Sequence, residues 1–191
     1  MANFQEILNF WFGSPAEPNY GKPRDVWFSK NSEFDRQVKT RFLSDYELAA
    51  SGKLNHWQEN PESCLALIIL CDQFPRNMFR DRPKSFATDP QALAFAQYAV
   101  EREFDRQFIP VKRWFFYLPF EHSENLAHQH QSLALFEQLR DDPDSLSCID
   151  YAIKHLKVID RFGRFPHRNQ ILGRETTPEE AEFLKQPGSS F

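Results

Sequence analysis

The chain has 191 residues, with 41% hydrophobic and 15% aromatic side chains and a formal net charge of −4 at pH 7. That is enough apolar material for one packed domain, and the acidic balance gives no general attraction to nucleic acid or to an anionic membrane surface. Only 6 glycines argue against an all-β chain full of tight turns, while 20 phenylalanines point to an aromatic core.

The opening Met1-Ala2-Asn3-Phe4-Gln5-Glu6 has neither a basic run nor a long apolar segment, so no signal peptide is expected. Ile7, Leu8, Phe10, Trp11 and Phe12 predict a short helix that Gly13 ends. Pro15, Pro18, Gly21 and Pro23 mark a loop to Arg24, and Asp25-Val26-Trp27-Phe28 returns with aromatic anchors. Ser32, with Asp35 three residues on, reads as an N-cap for a long helix to about Ala50, carrying Phe34, Val38, Phe42 and Leu43. Ser51-Gly52 closes it.

The organising stretch follows. Asn60-Pro61 is a cap with proline at the first helical position. The run Cys64-Leu65-Ala66-Leu67-Ile68-Ile69-Leu70-Cys71 is apolar on every side, so it predicts a buried central helix, being far too short to span a bilayer. Pro75 is expected to stop that helix. Thr88-Asp89-Pro90 starts another helix with Leu93, Phe95, Ala96, Ala99 and Val100. Pro110 opens an aromatic helix through Trp114-Phe115-Phe116-Tyr117. Pro119 is expected to break it and open the next, from about Phe120 to Leu139. Asp142-Pro143 starts the last long helix, with a stripe of Leu146, Ile149, Ile153 and Leu156 and a polar stripe of Asp150, Lys154, Lys157 and Arg161. Gly163 is expected at positive φ as its terminator. Thr177-Pro178-Glu179-Glu180 caps a final helix to about Gln186.

No two-residue alternation competes with these signals. About eight helices joined by proline-marked turns predict a single all-α domain, residues 1–191, of antiparallel helical hairpins, tetratricopeptide-like in spacing. Internal repetition is faint: Phe34-Asp35-Arg36-Gln37 recurs as Phe104-Asp105-Arg106-Gln107. Cys64, Cys71 and Cys148 are odd in number and scattered, which fits reduced thiols in a cytoplasmic protein. No C-x-x-C spacing suggests zinc, and no metal or cofactor is expected.

Three polar stretches carry the chemistry. In Asp72-Gln73-Phe74-Pro75-Arg76-Asn77-Met78-Phe79-Arg80, an aspartate at the end of an apolar helix needs a partner, with Arg76 or Arg80 the obvious one. A structural ion pair at the Pro75 turn is the favoured reading for Asp72, leaving Asn77 and Arg80 freer to face a ligand. In Tyr117 to Gln129, Glu121, Glu124 and His128 lie at i, i+3 and i+7 and are expected to share a helical face, the acids compensating the helix dipole. His122 is not explained that way, and a histidine can serve as acid or base near neutral pH. His122 and His128 do not share a face, which disfavours a local zinc site. The third stretch, Asp160 to Glu175, holds Arg161, Arg164, Arg168 and Arg174 with His167 and no acid between. Arginine offers a planar fork for carboxylate or phosphate, although these four could equally pair with acids elsewhere. Arg161 falls on the solvent stripe and is the least convincing of them.

The blocks Asp72-Gln73-Phe74-Pro75-Arg76-Asn77, Leu118-Pro119-Phe120-Glu121-His122-Ser123-Glu124 and Arg161-Phe162-Gly163-Arg164-Phe165-Pro166-His167-Arg168-Asn169 with Leu172-Gly173-Arg174 resemble an uncharacterised, mainly bacterial domain-of-unknown-function family, number nine hundred twenty-four. Ile7-Leu8-Asn9-Phe10-Trp11-Phe12-Gly13 and Gly188-Ser189-Ser190-Phe191 match as well, so the resemblance spans essentially the whole chain. It departs at His128, where an acid is expected in relatives. The resemblance implies an all-helical, tetratricopeptide-like fold and brings no established reaction, cofactor or partner.

Three readings of function follow. The leading one is a binding module with a polar cleft for a small anionic molecule or an acidic peptide, lined by Arg76, Asn77, Arg80, Arg164, Arg168 and Asn169. The alternative is a hydrolase- or transferase-type enzyme with His122, Glu124 or His167 as acid or base and Arg164 and Arg168 holding a carboxylate or phosphate. The third is an interaction protein whose polar blocks only fix turns. Charges this costly to bury singly predict that the three helix ends converge, acids of the first two meeting arginines of the third. A pocket holding His122, His167 and several arginines would favour the enzyme; an extended groove would favour the peptide binder.

Overall fold

Runs of helical periodicity separated by prolines become eight α-helices and no strand among the described residues, 3–190, of the computed structural model. They are α1 (Phe4–Phe12), α2 (Ser32–Ala50), α3 (Pro61–Met78), α4 (Asp89–Glu101), α5 (Pro110–Glu121), α6 (Leu126–Glu137), α7 (Leu146–Phe162) and α8 (Pro178–Leu184). From α2 to α7 each helix packs chiefly on the next in sequence, and α3 also touches α1 and α5. That neighbour-on-neighbour order is what short connections between amphipathic helices impose. No helix among the described residues is long and apolar enough to cross a membrane. The terminal aromatic Phe191 lies outside the described residues.

Side-chain caps start most of the helices, because the first N–H groups of a helix have no internal partner. Asn3, Asn31, Asn60 and Asn125 each accept from the first turn of α1, α2, α3 and α6. Asn31 therefore caps α2 where Ser32 was expected; Ser32 is already the first helical residue, one place too far along. Thr177 and Glu180 form a reciprocal capping box on α8. Gly163 ends α7 at φ 67°, as predicted, with its N–H on Ile159 O at 2.8 Å.

Leu67, Ile68, Ile69 and Leu70 are completely buried, so α3 is the central helix its composition demands. Aromatic rings surround it: Phe42 and Phe74 lie 5.0 Å apart, Trp11 and Phe74 5.5 Å, Trp27 and Phe115 5.0 Å between centroids.

Two proline expectations fail, each for a visible reason. Pro75 does not stop α3, which runs on to Met78. A proline at 75 deprives Cys71 O of its helical donor. The Thr88 hydroxyl supplies the bond instead, donating to Cys71 O at 2.5 Å, while Phe74 buries its whole ring. Pro119 likewise lies inside α5, held by the buried Phe115, Phe116 and Phe120; the break comes at 122–125. Glu121, Glu124 and His128 consequently share no face: Glu121 ends α5, Glu124 sits in the turn and His128 opens α6. On α7 the buried face is Ile149, Ala152, His155, Val158 and Ile159, whereas Leu146 is 48% exposed. The expected stripe was rotated by part of a turn, and the correction carries His155 into the interior.

Candidate functional site

The last two turns of α3 switch from apolar to polar side chains beside the C-terminal end of α5. Their meeting point is Asp72, which is buried. His122, the C-cap of α5, places Nδ1 2.7 Å from Asp72 Oδ1. Gln73 Nε2 donates to the other carboxylate oxygen, and Arg76 Nη1 stands 3.6 Å from Oδ1. Burial opposes the Asp72 charge, but His122 and Arg76 overcome it and hold the carboxyl well below the usual range. Burial, followed by the field of Arg76, lowers the His122 pKa against the pull of Asp72. A neutral imidazole whose Nδ1–H donates to a carboxylate has Nε2 as its basic nitrogen.

Glu121, one residue before His122, is buried with Oε1 3.3 Å from His155 Nδ1. His155 Nδ1 also contacts Tyr151 O at 2.9 Å. No lysine or arginine among the described residues forms an ion pair with Glu121. It sits at the negative end of the α5 dipole, and Asp72 is close enough to add repulsion. Burial first, and then Asp72, push the Glu121 carboxyl up to about 8. Two carboxyls of opposite character at neutral pH therefore flank His122, Asp72 ionised behind the cavity wall and Glu121 protonated on it. Burial brings His155 down to about 3 and, with Arg168, His167 down to about 4, so both are neutral. Burial pushes the Cys148 thiol up to about 12, which makes it a poor nucleophile.

Three arginines complete the polar floor. Arg76 makes a two-pronged pair with Asp89 at 2.8 and 3.0 Å and donates to Asp72 O. Arg80 pairs with Asp35 through two nitrogens, and Asn77 Nδ2 donates to the same carboxylate at 2.7 Å. Arg168 donates to His122 O at 3.1 Å and stands 3.6 Å from Asp89 Oδ2. Its guanidinium lies between the rings of Phe86 and Phe165, at 4.7 and 4.5 Å from their centroids. Burial and Arg76 lower the Arg168 pKa to about 10, which leaves it charged. The three arginines line one cavity of about 600 Å³ with Lys30, Asn77, Glu121, His122, His155 and His167, walled also by Trp27, Phe28, Phe86, Leu118, Phe136 and Tyr151. No group of three or more His, Cys, Asp or Glu among the described residues is arranged to hold a metal ion.

The sequence model of a bacterial protein family of unknown function, domain of unknown function 924, matches residues 7–188. The chain belongs to this family. A solved structure of a protein of unknown function from Agrobacterium tumefaciens is similar to it, with a TM-score of 0.84 and 41% identity over 95% of this chain and 96% of that one. No curated protein matches the chain.

In this member of the family the three polar blocks do converge. Glu124 joins the second to the third: Arg174 donates to both its oxygens at 2.6 and 3.0 Å, and Phe165 N–H donates to Oε1 at 2.7 Å. His122, His167, Arg76, Asn77, Arg80 and Arg168 line the cavity. Glu124, Arg164 and Asn169 do not. Arg164 turns away to Glu180 and to Glu175 O, because the capping box of α8 places a buried carboxylate there. Asn169, wholly buried, donates to the same Glu180. Asn77 and Arg80 are less free than expected, since Asp35 engages both. Of the two arginines expected to meet Asp72, Arg76 does and Arg80 does not, His122 and Gln73 standing closer than either, and the acid that Arg168 faces is Asp89.

Four contributors were missed in the sequence. Asp35 and Asp89 read only as first-turn acids, a role that every helix start offers. Glu121 reads as a first-turn acid too, as long as Pro119 reads as a helix start. His155 follows Tyr151 by one turn on α7, and the correct helical frame would have shown it on the buried face.

Proposed function

We propose that this cavity is the active site of an acid/base enzyme acting on a small anionic substrate. The observation that carries the reading is the 2.7 Å contact between Asp72 and His122 in a cavity that Arg168 also lines. A buried carboxylate orients the imidazole, fixes its tautomer and stabilises the imidazolium formed when Nε2 takes a proton. Arg168 would hold the anion, with Arg76 contributing field rather than a free fork. The protonated Glu121 supplies an acid beside the base, the split of carboxyl character that acid/base sites use. A compact cleft of this volume supports the enzyme over a binder of extended peptides, which would need a long groove. The free cysteines suit a reducing compartment, and the proposed location is the cytoplasm.

The test is turnover of a panel of small carboxylate and phosphate esters by the wild type and by His122→Asn. Removing a general base is expected to cost about 100-fold or more in kcat, with helicity and ligand binding kept. Turnover unchanged by His122→Asn would refute the proposed role. Binding of anions without turnover of any of them would return the site to the binding-module reading.

A further inference from the structure

The charges of the cavity floor are already matched. Arg76 and Arg80 are each paired, and the three arginines face three carboxylates, Asp35, Asp72 and Asp89. The one guanidinium with its carboxylate as far as 3.6 Å away is that of Arg168. Asp89 lies 3.6 Å behind Arg168, so a group carrying a second negative charge at that guanidinium meets like charge in a low-dielectric setting, while Lys30 lines the cavity without an ion pair among the described residues.

The walls carry aromatic surface that the core leaves uncovered. Phe28 is 61% exposed and Tyr151 50% exposed, yet both line this cavity. Aromatic rings left partly wet where they line a cavity offer a ligand an apolar face to cover. The Phe86 and Phe165 rings lie 4.7 and 4.5 Å from the Arg168 guanidinium and His122 O holds its Nη1, so the group is fixed in place with Nη2 left to meet a ligand. About 600 Å³ is much more room than acetate or inorganic phosphate fills, and suits a small organic molecule.

We propose that the ligand of this cavity is an aromatic monocarboxylate, its carboxylate on Arg168 beside His122 and its flat apolar body against Phe28 and Tyr151. The proposal rests on the anion reading of the site given above and names its substrate class. A carboxylate meets Arg168 with a single charge. Its ring replaces water at the two exposed aromatics, where offset stacking adds to burial.

Isothermal calorimetry with three probes tests this. Cinnamate has both features, acetate has the charge alone, and phenyl phosphate has the ring with a second charge. Cinnamate should bind at least about tenfold more tightly than either of the others. Phe28→Ala and Tyr151→Ala should each weaken cinnamate about tenfold and leave acetate unchanged, since both side chains lie outside the core. Acetate or phenyl phosphate equal to cinnamate, or cinnamate indifferent to both substitutions, would overturn this ligand class while leaving the anion site standing. If none of the three binds, the anion reading falls, and this inference with it.

Discussion

Glu121→Gln offers the sharpest check on the electrostatics of the site. In the folded protein the carboxyl titrates at about 8, against an ordinary 4.5, because it is buried at a helix C-terminus near Asp72. Between those two pH values the folded chain binds a proton that the unfolded chain has lost. Stability must therefore fall as pH rises through this window, by up to about 1.4 kcal/mol per pH unit. Across the whole window the upper bound is about 5 kcal/mol. Other groups contribute their own slopes. His155, His167 and His122 have folded pKa values below 6.5, so their contribution is present above that pH and lost as pH falls. Asp72 is depressed as well, and its contribution is lost only in acid. The difference between wild type and Glu121→Gln isolates Glu121, since glutamine keeps a carbonyl oxygen for His155 and cannot ionise. Urea unfolding of both proteins at several pH values from about 5 to 8.5 measures it. The two should be close in stability near pH 5, with the variant increasingly the more stable toward pH 8. Parallel stability curves would refute the assignment of a buried proton to Glu121.

Two further substitutions test the fold. Thr88→Val removes the hydroxyl that replaces the missing donor of Pro75, leaves Cys71 O buried without that bond, and should cost about 1–3 kcal/mol in urea unfolding. Loss below a few tenths would mean that α3 tolerates Pro75 without help. Leu67→Ala in the wholly buried α3 should cost about 2–5 kcal/mol, and an unchanged melt would contradict the central-helix assignment.

The helices were legible because their signals are local. An apolar run such as Cys64–Cys71 admits one burial state, and asparagine or threonine before a proline-marked run reads as a start. Both errors over proline came from weighing a local cost without its tertiary compensation. Nothing in the sequence around Pro75 reveals that Thr88 donates to Cys71 O, and nothing around Pro119 reveals how firmly three phenylalanines hold α5. The same limit applied to the site. That three polar blocks would meet could be argued from the cost of burying charge. Which acid meets which arginine could not: Glu124 with Arg174, Arg164 with Glu180 and Arg80 with Asp35 are settled by geometry across 50, 16 and 45 residues of chain. Arg164 and Asn169 looked like ligand groups because they stand beside His167 and Arg168, yet a turn of backbone sends them to α8. Glu121 was misjudged for the opposite reason, since its place in a helix decides whether the dipole favours its charge or opposes it.

The central claim is that His122, oriented by Asp72, is a proton acceptor beside an anion held by Arg168. An NMR titration of the His122 ring nitrogens, with and without cinnamate, tests it most directly. The free protein should show a neutral imidazole protonated at Nδ1, titrating below 6.5, with a clear rise in that pKa when the anion binds. A His122 that titrates at or above 6.5 and ignores the anion would contradict it.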